Sequence, residues 1–231
     1  MIAIIDYGLS NLKSVAAAVE KVGFEAVVTS DLKELGSAEK LILPGVGAFG
    51  DGIRNLRERG LDDILETLVL KEKKPILGIC LGAQLLCCES FEFGHHQGLG
   101  WIDASVVRLE PGGDLRVPHV GWNAVKQIRE CPLFEDVPDE TLFYFVHSYH
   151  MQCRNAENSV GECRYGIPFT AVIQQGNVYA TQFHPEKSQM FGLKLLKNFL
   201  EKANEGSSGK FVESKKSVIA SDQRERSNPK R

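Results

Sequence analysis

A cysteine flanked by glycines is the clearest chemical signal in this sequence. Gly78-Ile79-Cys80-Leu81-Gly82 overlaps the end of an apolar run from Pro75 to Ile79. A strand that turns abruptly into a helix at such a site lifts its central side chain above the sheet, and the glycines allow neighbouring backbone to approach closely. An isolated cysteine is usually a small buried apolar residue. In this context, however, the pattern predicts Cys80 to be a nucleophile whose thiolate is favoured by the start of the helix.

A second segment, His184-Pro185-Glu186, contains the residue types that a thiol nucleophile needs. A histidine can accept the thiol proton and later protonate a leaving amine, and a carboxylate holds its ring in one tautomer. The tripeptide follows an apolar stretch and is therefore expected at the carboxyl end of a strand, as Cys80 is. Alone it is weak support for catalysis. Together with the cysteine turn it predicts a triad of Cys80, His184 and Glu186.

Alternating apolar segments predict the elements that position this triad. Predicted strands cover residues 2–5, 26–28, 40–43, 75–79, 104–109, 142–146, 170–174 and 178–182, and predicted helices cover 12–22, 61–69, 81–88 and 192–202. Ser10 is the predicted cap of the first helix and Gly23 its stop signal. The alternation indicates one α/β domain with a mostly parallel sheet flanked by helices. The hairpin signal Gly176-Asn177 predicts an antiparallel addition.

The chain divides by composition into a domain over residues 1–202 and a tail over residues 203–231. The tail is rich in Ser, Lys, Glu, Arg and Asn and has few apolar residues, so it is predicted to be disordered and mildly basic. No role is assigned to it.

Overall charge and residue usage exclude several classes of protein. A net charge of −3 provides no broad basic field for nucleic acid. No run of about eighteen apolar residues predicts a membrane span, and no export signal is predicted. The six cysteines lack the spacing of a disulfide scaffold, which favours a reducing cytoplasm. Neither a metal nor a cofactor is predicted, because the remaining histidines lack metal-ligand spacing.

Six segments resemble the triad-type, or class I, glutamine amidotransferases, and most closely the subfamily of glutaminase subunits that serve imidazole glycerol phosphate synthases. They cover residues 5–8, 44–50, 78–86, 117–123, 144–149 and 182–188. The resemblance extends over residues 1–202 and implies that Cys80, His184 and Glu186 hydrolyse the side-chain amide of L-glutamine. It also implies that the backbone amides of Gly47 and Leu81 stabilise the oxyanion.

The same resemblance implies further contacts. Gln84, Glu92, His147 and Ser148 match positions that hold the glutamine substrate, with Glu92 suited to the α-ammonium group. In this family the subunit forms a heterodimer with a (β/α)₈-barrel cyclase or synthase, which uses the ammonia to form imidazole glycerol phosphate and aminoimidazole carboxamide ribotide in histidine biosynthesis. Asn11, Trp122 and Lys187 belong near the docking face by this resemblance. Core packing is the simpler interpretation of Trp122.

Ser10 stands where the family commonly has a second glycine, and the tail is unusual. These departures leave open a related role, in which the ammonia serves a surface-sugar amidotransferase. Two hypotheses from different classes also remain: a catalytically silent interaction subunit, and an independent cysteine amidase or peptidase. The silent subunit would lack a member of the triad, and the independent enzyme would need no partner.

Overall fold

The computed structural model describes residues 1–203, so the predicted tail lies outside the described residues apart from Ala203, which is buried. The helices are α1 Leu12–Lys21, α2 Leu32–Ser37, α3 Phe49–Glu58, α4 Leu61–Glu66, α5 Leu81–Leu85 and α6 Gln189–Lys202. The strands are β1 Ile2–Ile5, β2 Ala26–Thr29, β3 Lys40–Gly45, β4 Ile76–Cys80, β5 Cys87–Ser90, β6 His96–Gln97, β7 Ile102–Arg108, β8 His119–Gln127, β9 Thr141–His147, β10 Tyr149–Cys153, β11 Ser159–Tyr165, β12 Ile167–Gln175 and β13 Val178–Thr181.

The predicted α/β class is confirmed by the sheet. Its parallel part has the order β2-β1-β3-β4-β13. Beyond β13 the pairing becomes antiparallel through β12 and β10 to β7, and β8, β9 and β11 form a branch from β12. The predicted Gly176-Asn177 hairpin joins β12 to β13, but β13 itself runs parallel to β4. The antiparallel addition therefore begins at β12.

Helices cover both faces of the parallel part, because the strands are apolar on both sides. Alternate residues of β1 enter opposite cores: Ile2 and Ile4 pack with α1 and α6, whereas Ala3 and Ile5 pack with residues of α3, α4 and α5. Strands buried on both faces read as continuous apolar runs rather than alternating ones. This arrangement leaves the carboxyl ends of the central strands as the rim on which polar side chains can gather.

The predicted cap of the first helix is wrong. α1 begins at Leu12 with Asn11 in the capping position, and the helix receives no side-chain capping bond from Asn11. The Oγ atom of Ser10 is buried and has no hydrogen-bond partner among the described residues. The loop before α1 is held instead by tertiary contacts, including one from the Val46 amide to the Leu9 carbonyl at 2.9 Å. Such contacts override the local capping preference.

The predicted helix over residues 81–88 is also wrong for its last three residues. α5 ends at Leu85, and Cys87 and Cys88 belong to β5, which pairs with β7. The predicted helix over 61–69 is α4 followed by a π-helical segment, Thr67–Lys71. Two helices, α2 and α3, were not predicted. Gly50 and Gly52 obscure the apolar pattern of α3, and Leu85 packs closely against Gly52.

Candidate active site

Cys80 lies where β4 turns into α5. Its φ is 53° and its ψ is −111°, a conformation that a non-glycine residue rarely adopts and that is concentrated at functional sites. The side chain is largely buried, with 7% of the residue exposed. α5 has only five residues, so its dipole contributes less at Cys80 than a full helix would. The geometry of a nucleophile turn is nevertheless present.

The glycines on either side of Cys80 permit this turn by close approach. A Cβ atom on Gly78 would lie 2.6 Å from Cα of Ala83, and a Cβ atom on Gly82 would overlap the carbonyl oxygen of Leu43. Both positions press backbone against backbone, which cannot move aside as a flexible side chain can. Glycine is therefore needed at both positions to seat α5 on β3 and β4.

The sheet register brings the two chemical segments to one rim. β13 pairs with β4, with Thr181 opposite Ile79, so that Cys80 and the residues following Thr181 emerge side by side. His184 is further fixed by its backbone amide, which donates to the Tyr144 carbonyl at 2.9 Å. Segments about a hundred residues apart in sequence thus meet through the pairing of two parallel strands.

His184 and Glu186 form a buried pair. Nδ1 of His184 lies 2.8 Å from Oε1 of Glu186, and the two side chains are 3% and 1% exposed. A carboxylate can only accept, so Nδ1 carries the proton and Nε2 is directed elsewhere. Nε2 is buried without a hydrogen bond of standard geometry among the described residues. It is therefore available to exchange a proton with a nearby group.

Cys80 is one of the groups near enough to influence the charge of His184. Burial alone lowers the pKa of His184, but an ionised Cys80 sulfur and the Glu186 carboxylate outweigh burial and raise this pKa to about 9. An imidazole with a raised pKa favours the imidazolium at neutral pH and stabilises a neighbouring thiolate. The arrangement can therefore perform nucleophilic attack followed by protonation of a leaving amine.

Gly47 and Leu81 follow the carboxyl ends of adjacent strands. Gly45 is opposite Cys80 in the register of β3 and β4, and Gly47 follows two residues later with a φ of 106°. Leu81 is the first residue of α5. The intervening amide of Val46 is already bonded to the Leu9 carbonyl. Both backbone amides assigned to the oxyanion thus belong to the rim that carries Cys80.

The four residues matched to glutamine binding have different surroundings. Gln84 is buried, and its Nε2 donates to the Tyr149 carbonyl at 2.9 Å and to Oε1 of Gln182 at 3.1 Å. Glu92 is half-buried and accepts from the Phe49 amide, at the start of α3, at 2.7 Å. Each side chain keeps one oxygen that these bonds do not use.

His147 and Ser148 lie at the junction of β9 and β10. His147 is buried, and its ring nitrogens contact the Tyr149 carbonyl at 2.9 Å and Nδ1 of His119 at 3.0 Å. Both nitrogens are therefore used within the protein. Ser148 is half-buried, and its carbonyl accepts from the Leu109 amide. Only Ser148 of this pair has a partly accessible surface.

Sequence reasoning missed Gln182, which is fully buried beside the predicted triad with Nε2 3.9 Å from Sγ of Cys80. The sequence does contain a signal for Gln182, which is its spacing from His184. Gln182 precedes His184 by two residues, and side chains two apart in an extended segment share a face. The Val146 carbonyl, 3.8 Å from Sγ of Cys80, was also missed, since backbone groups carry no sequence signal.

The residues expected at a docking face lie on the surface. Asn11 is exposed, Lys187 is half-buried, and Trp122 is 44% exposed and packs edge-on against Tyr144, so core packing does not account for Trp122. A groove of about 380 Å³ runs beside Trp122. Its lining is mainly apolar and consists of Trp122, Thr141, Leu142, Ser188, Gln189, Met190 and Phe191.

Two negative findings apply to residues 1–203. In that range no group of three or more His, Cys, Asp or Glu side chains is placed to hold a metal ion. Over the same residues, no helix is both long enough and apolar enough to cross a membrane.

The fold and site correspond to a known class of enzyme. The sequence profile described as glutamine amidotransferase class-I matches residues 3–203, and the chain belongs to that family. Among curated relatives, imidazole glycerol phosphate synthase subunit HisH of Geobacter sulfurreducens is 51% identical over 87% of this chain and 98% of its own length. Subunit HisH 1 of Campylobacter jejuni strain RM1221 is 46% identical over 87% of this chain and 99% of its own length.

Solved structures share the fold at lower sequence identity. A crystal structure of a glutamine amidotransferase aligns with a TM-score of 0.67 and 23% identity over 88% of this chain and 99% of that one. PurLQS from Thermotoga maritima aligns with a TM-score of 0.68 and 20% identity over 86% of this chain and 96% of that one. The α/β architecture is therefore that of the glutamine amidotransferases.

Proposed function

We propose that this chain is the glutaminase subunit of an imidazole glycerol phosphate synthase, which hydrolyses L-glutamine and supplies ammonia to a synthase partner in histidine biosynthesis. The observation that carries the proposal is the buried contact between His184 and Glu186 beside the strained Cys80. Relatives named as HisH subunits, aligned over nearly their whole lengths, support the choice of pathway. The surface-sugar role is not favoured by these names.

The residues divide the chemistry as follows. The Cys80 thiolate attacks the amide carbon of glutamine, and the backbone amides of Gly47 and Leu81 stabilise the oxyanion, with each such donor contributing about 3 kcal/mol. The His184 imidazolium protonates the leaving nitrogen, and ammonia departs as a thioester forms. Neutral His184 then removes a proton from water, which attacks the thioester and releases glutamate and the thiol. Glu186 keeps the ring in one orientation throughout.

Substrate recognition follows from the groups that remain unoccupied. The second carboxylate oxygen of Glu92 suits the α-ammonium group of glutamine, and the free amide oxygen of Gln84 is an acceptor for the same group. Ser148 is accessible enough to contact the substrate. His147 has both ring nitrogens engaged, so we assign it a supporting role behind the site.

The partner is proposed to be a (β/α)₈-barrel synthase that docks over Asn11, Trp122 and Lys187. Trp122 and Tyr144 are opposite each other in the register of β8 and β9, and the Tyr144 carbonyl fixes the backbone of His184. The proposed docking face is therefore adjacent to the proposed site of ammonia release. A sealed route would protect ammonia from protonation in water, which abolishes its nucleophilicity. We place the complex in the cytoplasm.

The experiment that tests this function is Cys80→Ser, assayed in complex with the synthase subunit. We expect glutamine-dependent turnover to be abolished and turnover with added ammonium salts to remain, because only the generation of ammonia uses the thiol. Cys88→Ser is the matched control, since Cys88 is a half-buried cysteine on β5 whose sulfur donates to the Ile102 carbonyl at 3.4 Å. Loss of both activities in a folded Cys80→Ser complex would refute the proposed division of labour.

A further inference from the structure

Two buried glutamine side chains lie in series beneath Cys80. Gln182 is completely buried and Gln84 is 5% exposed, so neither amide can turn toward bulk solvent. Gln84 contacts Gln182, and Gln182 contacts the sulfur of Cys80. Buried side-chain amides are normally hydrogen-bonded, so the donor and the acceptor of each bond in this series can be assigned.

A backbone carbonyl fixes those directions. The carbonyl oxygen of Tyr149 can only accept, so the Gln84 atom 2.9 Å from it must be the Nε2 nitrogen. That nitrogen is also 3.1 Å from Gln182, and the Gln182 atom facing it must therefore be the Oε1 oxygen. The NH₂ group of Gln182 is left facing Sγ of Cys80 at 3.9 Å. Both amide orientations thus follow from one carbonyl.

The Tyr149 carbonyl has a second hydrogen-bond partner, His147. Nδ1 of His147 donates to the Tyr149 carbonyl at 2.9 Å, which leaves His147 Nε2 to accept from Nδ1 of His119 at 3.0 Å. Nδ2 of Asn123 is 3.4 Å from the remaining His119 nitrogen. Burial lowers the pKa of His147 to about 3 and that of His119 to about 4, so both rings are neutral, as these bonds require.

The surroundings of the sulfur suit its two protonation states differently. A neutral thiol can donate its proton to the Val146 carbonyl, 3.8 Å away. A thiolate can only accept, and the Gln182 amide is a neutral donor directed at it. A hydrogen bond made to the charged form of a group favours that form. Gln182 therefore acts in the same direction as His184.

We propose that Gln182 is a positioning residue for Cys80: its side-chain amide donates to the thiolate, and Gln84 sets the direction of that amide through the Tyr149 carbonyl. The inference rests on the proposed function, because it assumes that Cys80 reacts as a thiolate. It also gives Gln84 a role within the protein in addition to contact with glutamine.

The test is the rate at which iodoacetamide alkylates Cys80 in the full-length chain, followed by site-resolved mass spectrometry from about pH 5 to about pH 10. Gln182→Met removes the donor without adding charge. We expect it to slow alkylation at neutral pH about tenfold and to move the midpoint of the pH profile upward by about one unit. Gln182→Glu keeps an oxygen for Gln84 and also removes the donor, so it should shift the profile in the same direction.

Gln175→Met is the matched control. Gln175 is a buried glutamine on β12 whose amide also bonds within the protein, to the Trp101 carbonyl and the Asp103 amide, but it does not contact Cys80. Its substitution removes comparable buried bonds and should leave the Cys80 profile unchanged. A shift of equal size in this variant would show a general effect of lost packing and would overturn the proposal.

Further outcomes separate the inference from the function on which it rests. An unchanged Cys80 profile in folded Gln182→Met overturns the inference, and if Gln182→Met fails to fold, an unchanged profile in Gln182→Glu does so. A shift in Gln182→Glu with none in folded Gln182→Met would reflect added charge alone and would overturn it as well. If Cys80 of the native chain reacts no faster than the half-buried Cys153, the proposed nucleophile itself is refuted.

Discussion

Nδ1 of His184 and Oε1 of Glu186 lie 2.8 Å apart in a position where both side chains are almost fully excluded from water. The carboxylate is placed to hold the ring and to stabilise its charged form, since Glu186 contributes to the raised pKa of His184. Two residues of sequence separation and an intervening proline make this contact local. The sulfur of Cys80, in contrast, comes from β4, which is far from His184 in sequence but pairs with β13.

Glu186→Gln should lower the glutamine-dependent kcat of the complex by about a hundredfold or more, because the imidazolium loses its carboxylate partner. The pKa of His184 should fall, since a neutral amide no longer favours the charged ring. Steady-state kinetics and NMR titration of His184 measure the two effects. Ammonium-dependent turnover serves as the control and should be unchanged. A glutamine-dependent kcat close to the native value would contradict the assigned role.

Gly82→Ala should destabilise the chain by several kcal/mol or prevent folding, because the new methyl group would overlap the Leu43 carbonyl. Gly36→Ala is the matched control: it lies in α2 with no atom within 4 Å of the added Cβ, and should stabilise the chain by about 0.5 kcal/mol. Urea denaturation compares the two variants. Equal stability of Gly82→Ala and the native chain would show that α5 can move away from β3.

Acid should destabilise the chain through its buried histidines. The pKa of His119 is lowered to about 4 and that of His147 to about 3 by burial, whereas an unfolded histidine titrates near 6.5. Between these values the unfolded state binds more protons, so the free energy of unfolding falls as the pH falls from about 6.5 toward 4. Well above about pH 6.5 these groups contribute no slope.

His119→Phe should remove one of the two histidines that bind a proton on unfolding in acid. The dependence of the free energy of unfolding on pH should then become less steep by up to about 1.4 kcal/mol per pH unit. A phenyl ring suits the site, because His119 stacks between Phe145 and Tyr165. The lost bond to His147 should lower stability at neutral pH. Urea denaturation at about pH 7 and about pH 5 measures both effects, with the exposed His95→Gln as control. An unchanged slope would mean that His119 is protonated in the folded state.

Leu142→Asp should weaken binding of the synthase partner at least about tenfold, because Leu142 is 55% exposed in the apolar groove beside Trp122. Its effect on unfolding should be within about 0.5 kcal/mol, as is usual for exposed positions. Leu32→Asp is the control: Leu32 is 49% exposed and lies on α2, away from this groove. Titration calorimetry distinguishes the two. Equal affinities of the two variants for the partner would place the interface elsewhere.

The parallel strands were predictable because burial on both faces gives continuous apolar runs. The turn at Cys80 was predictable because the glycines on either side of it allow backbone to approach closely. Predictions from local sequence failed where tertiary contacts determine the local structure. Ser10 has the chemistry of a cap, yet its loop is held by other residues. Cys87 and Cys88 continue an apolar segment that is compatible with either a helix or a strand. They form a strand because they pair with β7.

The network behind Cys80 could not be predicted for a related reason. Gln84, Gln182 and His147 occupy separate segments. Gln84 and His147 meet at the Tyr149 carbonyl, whose position depends on the strand arrangement, and Gln182 joins the network through Gln84. A polar residue within an apolar segment indicates only that its side chain needs a hydrogen-bond partner. The tertiary structure determines which group is that hydrogen-bond partner.

The pairing of β4 with β13 has a consequence for synthesis of the chain. Cys80 emerges from the ribosome long before its neighbouring strand, and His184 and Glu186 follow only near the end of the described domain. A nascent polypeptide that ends before β13 therefore lacks the proposed acid–base pair and cannot release ammonia. The proposed hydrolytic activity would be acquired only when translation of the domain is almost finished.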